Sequence, residues 1–267
     1  MIKKLPRNRR DLIEIFESSE IEPNNIILFH SNTFRWFVSL SKGGEKDPLG
    51  AIIDSLLKYM SKEGTVLFPL FNFAFCSTGL FDYNKTPSKM GSLTERARHD
   101  IRFNRTAHPI YSFAVSGKYE NDFLRLTNKG GYSKDSPFGL LNELGGQIAV
   151  LDLPDQSSMT FYHFIEEVNK VPYRFHKKFT GLYVKKNGGE EKRTYSLFVR
   201  DLHAGVETWL DPCEKLLWEN KIYKGERPNF GSGLRSVKCL IMNKFVSSKI
   251  KDEPKGFLYR ISPNKTL

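Results

Sequence analysis

Residues 9–20 are half charged and place apolar side chains at positions 12, 13 and 16, a short helical stripe. After a turn at Pro23-Asn24-Asn25, the unbroken apolar run Ile26-Ile27-Leu28-Phe29 closes on His30. This reads as a strand buried on both faces. A loop holding Gly43-Gly44 leads to Asp47-Pro48, an N-cap and first-turn proline that open a helix over Leu49–Met60. Glu63-Gly64 ends that helix, and Thr65–Pro69 forms a second buried strand. Strand, helix and strand in that order predict a parallel pair with a crossover helix.

A third apolar run, Gln147–Leu153, precedes a helical stretch over Ser158–Asn169, so the strand-then-helix order recurs. The expected class is α/β, with a mostly parallel central sheet flanked by helices. From Tyr173 onward the pattern alternates. Gly181–Val184, the turn Asn187-Gly188-Gly189 and Thr194–Val199 predict an antiparallel hairpin. Residues 207–223 read as helix, and Lys238–Met242 as a last strand. No repeat or low-complexity linker interrupts the chain, so residues 1–267 are expected to form a single domain.

Composition narrows the class. With 39% hydrophobic and 27% charged residues, a 267-residue chain is globular and can build a large core without disulfides or metal. No apolar run of about 18 residues is present to span a membrane. Cys76, Cys213 and Cys239 are scattered and form no C-x-x-C pair, which argues against a zinc cage or a disulfide framework and for a reducing, cytoplasmic location. Lysine and arginine outnumber the acids by 41 to 30, a net +11. Five of these bases fall in the first ten residues, with no apolar segment after them that would make a secretory signal. Such a balance attracts phosphates, whether of nucleic acid, lipid or a phosphorylated small molecule. The bases are otherwise dispersed and no nucleic-acid motif occurs, so the non-enzymatic nucleic-acid binder is the weaker class and no nucleic-acid partner is expected.

The common phosphate-loop, dinucleotide, zinc-protease and nucleophile-elbow motifs are absent, as is the acetyl-CoA fingerprint Arg/Gln-x-x-Gly-x-Gly/Ala. Two histidines draw attention. His163 lies in Thr160-Phe161-Tyr162-His163-Phe164-Ile165-Glu166. Helical spacing puts Thr160 and Glu166 on its face, and a carboxylate beside an imidazole fixes the tautomer and raises basicity, as a general base requires. By itself the fragment also fits an ordinary helical His–Glu pair. His108 sits before Pro109, and Asp135-Ser136-Pro137 resembles a helix start.

Seven blocks in order say more: Ile27–Ser31; Gly64–Pro69; Thr86–Glu95, read Thr-Pro-Ser-Lys-Met-Gly-Ser-Leu-Thr-Glu; Arg105–Gly117 with His108-Pro109; Asp135-Ser136-Pro137; Leu144-Gly145-Gly146; and Thr160–Glu166. Together they resemble the aminoglycoside 3-N-acetyltransferase family over about residues 26–175, with weaker similarity to the end. The resemblance implies an α/β fold distinct from the common acetyltransferase (GNAT) superfamily, acetyl-CoA as donor, an amine on a sugar as acceptor and no metal. It carries the catalytic histidine onto His163 and its carboxylate onto Glu166, with Thr160 beside them. It puts His30, Ser31, Arg35 and Ser112 on the coenzyme A side, and His108, Asp135 and Ser136 on the acceptor side. Residues 1–175 would hold the donor and catalytic part and 176–267 the acceptor side. Arg35, Lys42 and Lys46 are candidate phosphate contacts.

The chain also departs from the family pattern. The first loop continues Asn32-Thr33-Phe34-Arg35-Trp36, the glycine after the third strand is replaced in Asp152-Leu153-Pro154, and the asparagine ahead of the helix threonine is replaced in Gln156-Ser157-Ser158. The segments Phe75–Asp82, Lys134–Pro137 and Val199–Pro212 look more like the branch found with surface-polysaccharide synthesis. The expected acceptor is therefore a nucleotide- or lipid-linked amino sugar, with an antibiotic aminoglycoside as the alternative. An acyl-cysteine route through Cys76 is the lesser option, because no histidine partner is evident in sequence.

Overall fold

The computed structural model describes residues 5–252 and 257–262, so Lys3 and Lys4 of the basic N-terminal segment lie outside the described residues. The chain opens with α1 (Arg9–Ser18), β1 (Ile26–Ser31), α2 (Phe34–Lys42), α3 (Pro48–Met60) and β2 (Thr65–Pro69). It continues through α4 (Ala74–Thr78), β3 (Leu80–Asp82), α5 (Ser92–Arg98), β4 (Asn104–Arg105), β5 (Phe113–Gly117), α6 (Glu120–Leu124), α7 (Pro137–Glu143) and β6 (Gln147–Leu151). Next come α8 (Asp155–Ser158), α9 (Phe161–Val168), the hairpin β7 (Arg174–Val184) and β8 (Glu190–Arg200), and β9 (Val206–Thr208). The last elements are α10 (Asp211–Glu219), β10 (Lys224–Gly225), β11 (Leu234–Lys238), α11 (Cys239–Asp252) and β12 (Tyr259–Ile261).

The central sheet has seven strands in the order β10-β11-β6-β1-β2-β5-β4. Its middle, β6-β1-β2, is parallel as the strand–helix–strand order predicts. The strands on both flanks add antiparallel, so parallel pairing is confined to the centre. The period of two in the central strands divides their side chains between two cores. Ile27, Phe29, Val66, Phe68, Ala149 and Leu151 face the layer of α1, α2, α3 and α5. Leu28, Leu67, Ile148 and Val150 face the opposite core with α7, α9, α10 and α11. Both sheet faces are covered, which explains why the central strands read as continuous apolar runs.

Local signals match where caps mark them. Asp47 accepts from the Gly50 N–H and Pro48 occupies the first turn of α3, as the sequence predicts. The start of α2 carries no such mark, because Thr33 makes no capping bond. Its buried Trp36 and Leu40, four apart, are the signal the sequence offers for that helix. The expected strand over Lys238–Met242 is corrected. Strand β11 ends at Lys238, and Cys239, Met242 and Val246 are buried at helical spacing while Leu240 and Ile241 are half-exposed. The expected helix over Ser158–Asn169 breaks at Met159-Thr160 into α8 and α9, and within 207–223 only Asp211–Glu219 is helical. No helix among the described residues is long and apolar enough to cross a membrane.

One buried ion pair fixes the segment leaving β6. Arg235, fully buried on β11, donates to Asp155 Oδ1 at 2.7 Å and to the Leu153 carbonyl. The hydroxyls of Tyr162 and Tyr223 also donate to Asp155. Removing one partner of such a pair leaves an uncompensated buried charge. Arg235→Met is expected to lower unfolding free energy by about 3–5 kcal/mol in urea titration. An unchanged midpoint would show that the pair does not hold this segment.

Candidate active site

The carboxyl ends of β1, β2 and β6 open on one side of the sheet, where ligands of open α/β folds bind. Two clefts converge there on His163. One, of 260 Å³, lies along the loop and helix after β6 and includes Phe71, Met90, Ser158 and Thr160. The other, of 490 Å³, is walled by the β7–β8 hairpin. His163, Tyr111, Phe73, Arg200 and Thr208 border both.

Helix α9 delivers His163 with its side chain 22% exposed, and the i,i+3 geometry is as the sequence predicts. Its Nδ1 lies 2.8 Å from Glu166 Oε2. The carboxylate can only accept, so Nδ1 carries the proton and Nε2 keeps its lone pair. Tyr132 packs against the imidazole at 5.0 Å between ring centroids. Glu166 is fully buried. It also accepts from the Tyr173 hydroxyl at 3.0 Å, and Arg174 Nε lies 2.9 Å from its Oε2. Burial works against the Glu166 charge, yet Arg174 and the imidazole hold its pKa below the ordinary carboxylate value.

The basicity expected of His163 is corrected. Burial and then Arg174 push the imidazole pKa below 6.5, and the Glu166 bond offsets them only in part. The pair therefore supplies a correctly oriented neutral imidazole rather than a strengthened base. Sequence reading missed Tyr173 and Arg174, which reach Glu166 from beyond the end of α9. Thr160 stands just ahead of α9 with no capping bond and borders the smaller cleft.

His30 and Ser31 lie together at the end of β1. His30 Nε2 and Ser31 Oγ are buried without a protein partner. Burial, with Arg235 adding to it, holds His30 neutral with a pKa of about 3. Gly91 lies near the Ser31 carbonyl and takes φ +112°, a conformation that favours glycine. Buried orphan polar atoms next to the uncapped start of α2 fit a polar ligand group at this strand end.

Other expected contacts have structural roles. Arg35 Nη1 bonds both carboxylate oxygens of Asp152, and its Nη2 donates to the Gly231 carbonyl, so it is not a free phosphate clamp. Asp152 itself takes φ +51°, the left-handed conformation for which glycine is favoured. Ser112 is fully buried, accepts from Arg105 Nε and donates to the Leu70 carbonyl. Ser136 caps α7 through the Gly139 N–H. Asp135 is exposed and bonded by the Ser133 hydroxyl; burial and the Asp135 charge raise the Glu167 pKa to about 7. His108 is 2% exposed, and its Nδ1 accepts from the Tyr111 N–H at 3.0 Å. It borders a separate cleft with Lys129 and Tyr195, so the structure does not bring it to His163. Burial raises the Cys76 pKa, which keeps it a thiol and disfavours an acyl-cysteine route.

An oriented neutral histidine thus stands between two clefts at the carboxyl ends of the strands of a mixed α/β sheet. The aminoglycoside 3-N-acetyltransferase family model matches residues 38–226, and the chain belongs to that family. It is an acetyl-CoA-dependent N-acetyltransferase by membership. The SPbeta prophage-derived aminoglycoside N(3')-acetyltransferase-like protein YokD of Bacillus subtilis (strain 168) is 24% identical over 192 residues, 63% of this chain and 67% of its own. The YokD crystal structure superposes with TM-score 0.75 at 20% identity, covering 95% of this chain and 97% of that one. The structure described as AAC-IIIb binary with CoASH gives 0.73 at 18% identity over 92% and 96%. A mutant of aminoglycoside acetyltransferase AAC(3)-IVa in complex with a gentamicin gives 0.71 at 20% identity over 95% and 92%. At these identities the superpositions establish the fold.

The lowered His163 pKa sets a pH dependence. A general base at His163 must be neutral to take a proton, so if His163 holds that role kcat/KM is expected to fall on the acid side with a midpoint below 6.5. Arg174→Met removes a cation that disfavours the imidazolium and should move that midpoint upward. A wild-type midpoint at or above 6.5, or a downward move, contradicts the assignment.

Proposed function

We propose that the protein transfers the acetyl group of acetyl-CoA to the amine of an amino sugar, with His163 as general base and Glu166 as its orienting carboxylate. The observation that carries this reading is the His163–Glu166 contact at the junction of two clefts. Acetyl-CoA supplies the acyl group as a thioester. The donor enters along the strand ends, where His30 Nε2 and Ser31 Oγ are the polar atoms that would meet the pantetheine arm. The acceptor enters by the hairpin cleft, so residues 176–267 contribute to the acceptor side. As the amine nitrogen bonds the acetyl carbon and the carbon–sulfur bond breaks, His163 Nε2 takes the amine proton and the thiolate leaves. The hydroxyls of Thr160 and Ser31 are candidate donors to the carbonyl oxygen.

The comparisons support an aminoglycoside as acceptor, since relatives are named for that activity and one is described in complex with a gentamicin. The chain's net +11 supports a second acceptor class, a glycan-precursor amino sugar, because polycationic drugs suit acidic sites. Thiol release from acetyl-CoA decides between them, using kanamycin- and gentamicin-type drugs beside nucleotide-linked amino sugars. Release with the drugs alone assigns the resistance activity, and release with the nucleotide sugars alone assigns glycan synthesis.

His163→Ala is expected to lower kcat by about 10²- to 10⁴-fold, the worth of general-base catalysis, while coenzyme A binding by calorimetry stays near wild type. Turnover that survives the substitution would remove His163 from the mechanism.

A further inference from the structure

The hairpin cleft has a one-sided charge. Arg174, Lys177, Arg200 and His203 border it, and no aspartate or glutamate among the described residues does. Glu166 neutralises Arg174. Lys177 and Arg200 are exposed, and neither forms an ion pair with a carboxylate among the described residues. Lys177 instead lies 5.7 Å from the Phe179 ring centroid, and Arg200 Nη1 reaches only the Thr208 hydroxyl, at 3.5 Å. The nearby carboxylates are engaged elsewhere. Asp201 accepts from the backbone N–H groups of His203 and Ala204, and Glu207 pairs with Arg260 at 3.0 Å. In the adjoining cleft, Asp155 is buried against Arg235.

The hairpin register sharpens this. Arg174 and Arg200 are direct cross-strand partners. Like charges in that position destabilise a hairpin, and among the described residues only one of the two has a counter-charge. With Arg174 neutralised by Glu166, the charge of the pair that stands free to meet an anion is that of Arg200. Arg200 stands close enough to His163 to help keep the imidazole neutral, so an anion held there sits beside the reacting amine. A polycation would meet like charge in this cleft, whereas a phosphate would meet an arginine fork and an ammonium group. Phe175 and Phe179 add an apolar wall, Phe175 being 45% exposed.

On the acetyltransferase reading above, we propose that Lys177, Arg200 and His203 form a phosphate subsite, so that the acceptor is an amino sugar bearing a phosphate. Phe175 and Phe179 flank the group beyond that phosphate.

The test saturates the protein with coenzyme A, so that its own phosphate contacts are filled, and then titrates uridine diphosphate, glucosamine 1-phosphate and gentamicin by calorimetry. Saturable binding of either phosphate compound is expected, with none for gentamicin. Lys177→Gln combined with Arg200→Gln should weaken that binding at least tenfold, leaving the coenzyme A affinity and the thermal midpoint unchanged. Tighter binding of uridine diphosphate would identify a nucleotide-linked acceptor, and equal binding of the two a simple phosphate ester. Either result supports the subsite. No phosphate binding with coenzyme A bound, indifference to the two substitutions, or gentamicin binding instead would overturn it. Failure of coenzyme A itself to bind would overturn the acetyltransferase reading instead, so the two failures are distinguishable.

Discussion

The site depends on a carboxylate that has been taken entirely out of water. A buried charge is tolerated only when its lone pairs are met by donors and its charge by a cation. Glu166 has all of these: the His163 imidazole on its own helix, the Tyr173 hydroxyl, and the Arg174 guanidinium at the base of the hairpin. This requirement joins α9 to β7. The hairpin cleft cannot drift from His163 without stranding the charge, so the position of the second cleft and the tautomer of the histidine have one cause.

The same solution recurs where β6 leaves the sheet. Asp155 is met by Arg235, Tyr162 and Tyr223, and Asp152 by both carboxylate contacts to Arg35. These pairs tie the first turn of α2, β11 and the run into α9 to one strand end. They hold in place the loop that carries Thr160 and, one turn on, His163. Arg35 has a binding residue's composition but a scaffold residue's role: the carboxylate it meets would otherwise stand 3% exposed without a cation.

The molecule keeps two kinds of positive charge. Arg174, Arg235 and Arg35 are consumed by carboxylates and shape the site. Lys177 and Arg200 are not, and they lie where the hairpin faces His163. Net charge alone could not separate these groups, because each arginine counts the same in a sum. Their difference lies in whether a carboxylate from another element arrives beside them.

Much of this was written in the chain. Continuous apolar runs gave the buried central strands, Asp47-Pro48 gave the start of α3, and alternation around Asn187-Gly188-Gly189 gave the hairpin, because each depends on neighbours in sequence. The i,i+3 spacing brought Glu166 to His163 for the same reason. The start of α2, unmarked by a cap, and the switch from β11 to α11 at Cys239 were decided by which side chains the folded core buried. So were the roles of Ser112 and Ser136, whose buried hydroxyls must find partners inside the protein. Only the tertiary structure could set Tyr173 and Arg174 against Glu166, lower the His163 pKa by burial, and leave one cleft wall basic. Desolvation and charge pairing act through space, between residues that the sequence holds apart.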